Sequence, residues 1–175
     1  MSDREVIIAQ IAKAFAAVEY PGDWCLRGGS EGDEPYMLEQ EFKGKTDWRT
    51  LEPTFLDQAP NGFASALSFF SDEAFHFYLP AYLIADLHGQ LDRPNPTFHL
   101  THGLDESSRQ KLINPRRYGE RTWFEQARHK FAMFNKEEVE SIIAYLSCRR
   151  DEAEFKFERQ SIDDALRNYW NDRAA

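Results

Sequence analysis

Apolar residues recur at helical spacing in several stretches of the chain, and this pattern predicts a mainly α-helical protein. In the first stretch, Ile11 and Phe15 fall on one helix face, and Ser2 and Glu5 have the spacing of a capping box. The turn at residues 20–23 contains a proline and a glycine, so we expect it to end this helix.

The most apolar segment is SFFSDEAFHFYLPAYLIADLHG, residues 68–89. Ser71 suits the position that caps a helix N-terminus, and the residues after it are apolar on nearly every side, which is typical of a buried central helix. Pro80 lies in the middle of this segment. It either bends one long helix or begins the second of two helices, and the pattern leaves both arrangements open.

The second half of the chain predicts further helices. Asn135 and Glu138 form another capping box, and the apolar stripe that follows extends to about Phe157, with a last short helix capped by Ser161. The segment FHLTHGL, residues 98–104, is expected to be extended.

The size and composition of the chain fit one folded domain. It has 175 residues, of which 42% are hydrophobic and 14% aromatic, and no linker divides it. We therefore predict a compact single-domain helical globule over residues 1–175, built on the proline-kinked aromatic helix, with long irregular connections and a minor extended segment.

Location is predicted from what the sequence lacks. The charged start MSDREV has no apolar signal core, and no apolar stretch approaches the roughly 20 residues that span a bilayer. Cys25 and Cys148 have neither metal-binding spacing nor a catalytic signature around them, which favours reduced thiols. These features predict a cytoplasmic protein without a membrane segment.

Charge is distributed unevenly along the chain, whose net charge is −9. Residues 1–100 hold 7 basic and 16 acidic side chains, whereas residues 101–175 hold 14 of each. Residues 19–41 carry seven carboxylates and one arginine, and residues 107–134 carry seven basic and two acidic side chains. The acidic and basic stretches either face solvent and partly neutralise each other, or one of them contacts a partner.

The apolar core segment also carries a resemblance. SFFSDEAFHFYLPAYLIADL, preceded by YPGD and followed by FNKEEVESIIAYL, resembles an uncharacterised bacterial domain family of unknown function, over about residues 5–148. The family usually has arginine within this core where the present chain has His76. The resemblance implies a compact, largely helical cytoplasmic domain, and it gives no catalytic residues because no activity is established for the family.

No catalytic motif is present, which makes a non-enzymatic role the expectation. Serine-nucleophile, Cys–His and dinucleotide-binding signatures are all missing. His99 and His102 lack the third and fourth ligands that zinc needs, and the acidic stretch lacks the alternating pattern of a calcium loop. We therefore predict neither a metal nor a cofactor.

The leading functional hypothesis is a small intracellular binding module that acts by protein–protein contact. An immunity-type or inhibitor protein is one form of it, because an acidic face can cover a cationic active site and accelerate association. The predicted contact residues are Glu31, Asp33, Glu34, Glu39 and Glu41. The alternative is an enzyme or small-molecule-binding protein with a cleft at His76, Tyr78 and Tyr82, where polar groups meet an apolar wall.

The basic stretch is the best candidate for nucleic-acid binding. Arg116, Arg117 and Arg121 could contact phosphates, and Tyr118 or Trp123 could stack on bases. The net charge of −9 argues against this partner, because nucleic-acid-binding domains are usually basic overall.

Overall fold

The computed structural model describes residues 1–175 as helices joined by turns and loops, which confirms the mainly α class. Extended pairing is limited to two isolated bridges, Arg27 with Phe70 and Leu112 with Thr122. The chain forms two compact units, Met1–Pro96 and Thr97–Ala175. That these units make one domain remains a prediction.

The first unit contains five helices and two short 3₁₀ turns. The helices are α1 (Asp3–Ala14), α2 (Glu34–Phe42), α3 (Pro53–Gln58), α4 (Ala66–Phe69) and α5 (Asp72–Leu87), and the turns are Asp23–Cys25 and Trp48–Thr50. The predicted capping box is present at the start of α1, where Ser2 N–H donates to the Glu5 carboxylate at 2.6 Å. α1 ends several residues before the proline turn that was expected to stop it.

α5 is the core of the first unit. It is one helix with Pro80 inside it, which settles the choice that the sequence left open. Ser71 caps the helix as predicted, and its hydroxyl accepts a hydrogen bond from Ala74 N–H at 3.0 Å. Eleven of its sixteen residues are buried, and it contacts α1, α3 and the turn at 48–50, so the prediction of a central buried helix is confirmed.

The second unit is a separate set of helices. α6 (Pro96–Thr101) begins at the last residue of the first unit, and α7 (Pro115–Tyr118), α8 (Trp123–Phe131), α9 (Lys136–Glu152), α10 (Lys156–Ala165) and α11 (Asn171–Ala174) follow. A 3₁₀ turn spans Glu106–Arg109, and a π-helical turn, Leu166–Trp170, joins α10 to α11. The predicted capping box of Asn135 and Glu138 opens α9.

The prediction of an extended segment at residues 98–104 was wrong, because residues 96–101 are helical. Pro96 explains the difference. Proline is well tolerated in the first turn of a helix, and the predicted segment began two residues beyond it. His99 and His102 therefore lie three residues apart at the end of a helix, where such residues are neighbours. In an extended strand they would have pointed to opposite faces.

The predicted run of α9 to about Phe157 was also wrong. The helix ends at Glu152 because Ala153 adopts an extended backbone, and α10 begins at Lys156, five residues before the predicted cap at Ser161. Phe155 and Phe157 are consequently exposed, with stacked rings 5.9 Å apart, rather than part of a buried stripe.

Candidate functional site

The acidic residues of the first unit lie on α2 and on the loop that precedes it. We call Glu31, Asp33, Glu34, Glu39 and Glu41 the acidic surface. The loop is fixed to the start of α5, since Gly28 N–H donates to the Phe69 carbonyl at 2.8 Å and Ser71 N–H donates to the Leu26 carbonyl at 2.9 Å. A Cβ at Gly28 would lie 2.7 Å from the Phe70 carbonyl oxygen, so this close approach requires glycine.

Arg27 is the only basic residue within the acidic stretch, and it is used internally. Its Nε donates to Glu39 Oε2 at 3.2 Å, and its Nη1 donates to the Gly29 carbonyl at 2.8 Å. Its guanidinium carbon lies 4.6 Å from the centre of the Tyr36 ring. Arg27 therefore ties α2 to the loop and neutralises part of the surrounding charge.

The five acidic residues fall into two groups. Glu34 accepts a hydrogen bond from the Ser65 hydroxyl at 2.5 Å, Glu41 accepts one from the Gln58 amide at 3.5 Å, and Glu39 pairs with Arg27. Glu31 and Asp33 are exposed on the loop, and Asp33 makes no capping hydrogen bond to α2. The structure thus places all five on α2 and the loop before it, and Glu31 and Asp33 are the two that are exposed.

Trp24 was not among the residues predicted from the sequence, although it is the most exposed aromatic side chain, at 84%. It lies in the turn Asp23–Cys25, and the Asp23 carboxylate accepts the N–H of Gly44 at 3.0 Å, just beyond the end of α2. The Tyr20 hydroxyl donates to the same carboxylate, which holds the pKa of Asp23 below its usual value. This network sets an exposed indole beside the helix that carries the acidic surface.

The three residues of the alternative cleft do not meet at an opening. Tyr78 and Tyr82 are buried, and the half-buried His76 ring packs edge-on to Phe15, with ring centres 6.0 Å apart. The Tyr78 hydroxyl donates to the Lys45 carbonyl at 2.7 Å, and burial raises the pKa values of both tyrosines.

A small hollow beside α5 lies elsewhere and encloses about 90 Å³, below the roughly 300 Å³ at which small-molecule pockets begin. Its lining residues are Trp48, Arg49, Leu51, Pro53, Leu56, Ala81, Ile84, Ala85 and Gln90.

The buried tyrosines give a matched pair of stability predictions. The Tyr82 hydroxyl has no hydrogen-bond partner, so Tyr82→Phe removes an unpaired buried polar group and should raise the free energy of unfolding by up to about 1 kcal/mol. Tyr78→Phe removes a made hydrogen bond and should lower it by about 1 kcal/mol. Urea denaturation of both variants measures the difference. Equal destabilisation by the two changes would show that the Tyr82 hydroxyl contributes a favourable contact.

The basic residues of the second unit are separated by the fold. Arg116 and Arg117 are exposed on α7, whereas Arg121 is half-buried and its guanidinium donates to the Gln126 amide oxygen at 2.9 Å. Arg117 lies over the Tyr118 ring, 5.4 Å from its centre. The sequence-based patch therefore has two outward-facing arginines and one that helps to position the start of α8.

No group of three or more His, Cys, Asp and Glu side chains is arranged to hold a metal ion. Burial lowers the pKa of His99 to about 4, so its ring is neutral at physiological pH. Cys25 and Cys148 form no disulfide. No helix is both long and apolar enough to cross a membrane.

Comparison with known proteins gives one match. A family model described as a family of unknown function, DUF6714, covers residues 3–174, which includes nearly all of both units. Neither a curated protein nor a solved structure matches the chain.

Proposed function

The chain belongs to DUF6714, a family of unknown function, and from its own surface chemistry we propose that it is a small cytoplasmic binding module acting by protein–protein contact. The acidic surface and Trp24 form the contact region, and the partner is a cationic protein. An immunity-type or inhibitor protein, whose acidic face covers a basic active site, is the form that this chemistry suits.

The exposure of Trp24 carries the proposal. Tryptophan and tyrosine supply most of the binding energy in protein interfaces, where they act as anchors inside a polar rim. Trp24 is 84% exposed and Tyr36 is 45% exposed. Tyr36 lies on α2, and Trp24 follows Asp23, whose carboxylate bonds to Gly44 just beyond the end of that helix. Aromatic anchors among acidic groups are what recognition of a basic partner needs.

Charge supports the choice of partner. Residues 1–100, which include the whole first unit, carry a net charge of −9 from 7 basic and 16 acidic side chains. A field of one sign steers an oppositely charged protein and accelerates its association by about 10- to 1,000-fold. Cys25 and Cys148 form no disulfide, which supports a reducing compartment such as the cytoplasm.

Charge reversal of the exposed loop pair tests the proposal. A partner is first captured from a host lysate at low salt, and its association with the wild type is followed by stopped-flow fluorescence. Glu31→Lys with Asp33→Lys should slow association at least about ten-fold and flatten its salt dependence, because steering charges act mainly on the association rate. Trp24→Ala should instead accelerate dissociation by roughly 30-fold, as loss of an anchor worth about 2 kcal/mol implies.

The matched control is Glu140→Lys with Glu154→Lys, which reverses the same charge at exposed positions of the second unit. This control variant should associate with the partner at a rate closer to that of the wild type than the loop-pair variant does. If the loop pair and the control slow association equally, net charge rather than the acidic surface governs binding, and the proposed contact region is wrong.

A further inference from the structure

Three aromatic rings of the second unit form a continuous exposed row. The Phe98 and His102 rings stack with centres 4.9 Å apart, and the His102 and Trp123 rings meet edge-to-face at the same distance. Phe98 is 50% exposed and Trp123 is 38% exposed, so the two ends of the row face solvent. Partial burial lowers the pKa of His102, which favours the neutral form of this ring.

The row is built by a close approach of two helices. Gly103 follows α6 with φ +84°, and a Cβ there would lie 2.9 Å from the Trp123 carbonyl oxygen. Only glycine fits this contact, which brings the end of α6 against the first residue of α8. Thr122 and Glu125 fix that first residue with a capping box. The row is therefore held in place before any ligand arrives.

A basic loop begins and ends beside the row. Trp123 N–H donates to the Lys111 carbonyl at 2.9 Å, and Ile113 N–H donates to the Arg121 carbonyl at 3.1 Å. These bonds flank the bridge between residues 112 and 122 and close the basic loop, residues 114–120, which contains the short helix α7. Every residue of the loop is exposed, and it carries Arg116, Arg117 and the 40%-exposed Tyr118.

Charge around the row differs from that of the whole chain. Residues 101–175 carry 14 basic and 14 acidic side chains, so the second unit is neutral overall. Residues 107–134, which contain the loop and α8, have seven basic and two acidic side chains. The net charge of −9, which argues against nucleic acid at the level of the whole chain, comes from the first unit.

We propose that the aromatic row and the basic loop form a binding site for single-stranded nucleic acid. Bases stack on exposed aromatic faces, and arginines at the side contact the phosphates. Phe98 and Trp123 offer exposed rings at the two ends of the row, and the exposed Tyr118 offers a further ring on the basic loop. A double helix keeps its bases stacked on each other, so these rings favour a single strand. The inference concerns the second unit and does not depend on the proposed protein contact of the first.

Fluorescence anisotropy of a labelled 20-residue oligothymidylate tests the site. The full chain should bind it in the micromolar range at low salt, with a slope of log K against log salt of about −2 for three phosphate contacts. Arg116→Ala with Arg117→Ala should reduce that slope to about −0.7, because two of the three phosphate contacts are lost. Trp123→Ala should weaken binding roughly ten-fold with the slope unchanged, since stacking carries no salt dependence of this kind.

A charge-matched control removes two basic side chains elsewhere, through Lys136→Ala with Lys156→Ala at exposed positions. It should bind like the wild type. Circular dichroism of every variant checks that it is folded. A second measurement leaves the proposed site unchanged. In a Trp24→Phe variant, Trp123 is the one exposed tryptophan. Its fluorescence should be quenched when a base of the oligonucleotide stacks on it.

Three results would overturn the proposal. The first is no anisotropy change at about 100 µM chain, the upper limit expected for non-specific binding. The second is binding without quenching of Trp123 fluorescence, which would mean that charge alone holds the strand. The third is displacement of the oligonucleotide by polyglutamate at equal charge concentration, which would assign the surface to an acidic protein partner.

Discussion

Leu79→Asp is expected to unfold the first unit. Leu79 is fully buried in the middle of α5, a helix in which ten other residues are buried too. An unpaired charge in such a place costs several kcal/mol, and a domain of this size has a total stability of about 5–15 kcal/mol. The far-ultraviolet circular dichroism signal of the helices should fall, and amides of residues 1–96 should exchange rapidly with solvent.

Val6→Asp is the control for this change. Val6 lies in α1 of the same unit and is 51% exposed, so a carboxylate there stays hydrated and should alter the unfolding midpoint very little. A Leu79→Asp chain with the wild-type denaturation midpoint would mean that α5 is not the core of the unit. Equal loss in both variants would point to net charge rather than burial as the cause.

Local chemistry explains which parts of the fold were predictable. Ser2, Ser71 and Asn135 each bond to backbone groups within three residues, so the sequence alone locates the starts of α1, α5 and α9. The end of α9 has no such signal. Neither proline nor glycine follows Glu152, and the chain leaves the helix at Ala153, a residue that favours helices. The Ala153 carbonyl accepts a hydrogen bond from Arg159 of α10 at 2.8 Å, a contact that the apolar pattern does not reveal.

The candidate sites, too, were predictable only in part. The acidic and basic stretches are visible as runs of charge, but the sequence does not say which charges are used internally. Glu39 is paired with Arg27 and Arg121 with Gln126, through contacts that only the folded chain creates. The exposure of Trp24 is equally invisible, because an aromatic residue in a loop is as often buried. The aromatic row brings His102 against Trp123, which is more than twenty positions away in the sequence. Phe98 and His102 also lie in the segment that was wrongly predicted to be extended, so their stacking was not foreseen.

Trp170→Ala is expected to destabilise the second unit strongly. Trp170 is fully buried in the π-helical turn between α10 and α11, and its indole N–H donates to the Leu100 carbonyl at 2.9 Å. Its ring lies 4.9 Å from that of Phe131. Trp170→Ala should cost about 3–5 kcal/mol, because it leaves a large cavity and also an unpaired carbonyl. Trp170→Phe refills most of the cavity and should cost less.

Hydrogen exchange measured separately over residues 1–96 and 97–175 then tests the predicted single domain. Amides of the second unit should lose about 100- to 4,000-fold of their protection in Trp170→Ala, since each 1.4 kcal/mol is a factor of ten. If residues 1–175 unfold as one cooperative domain, the first unit loses protection to the same extent, and Leu79→Asp likewise exposes the second. Full protection of the unmutated unit in both variants would contradict the one-domain prediction. In that case the acidic surface and the aromatic row would belong to bodies that fold independently.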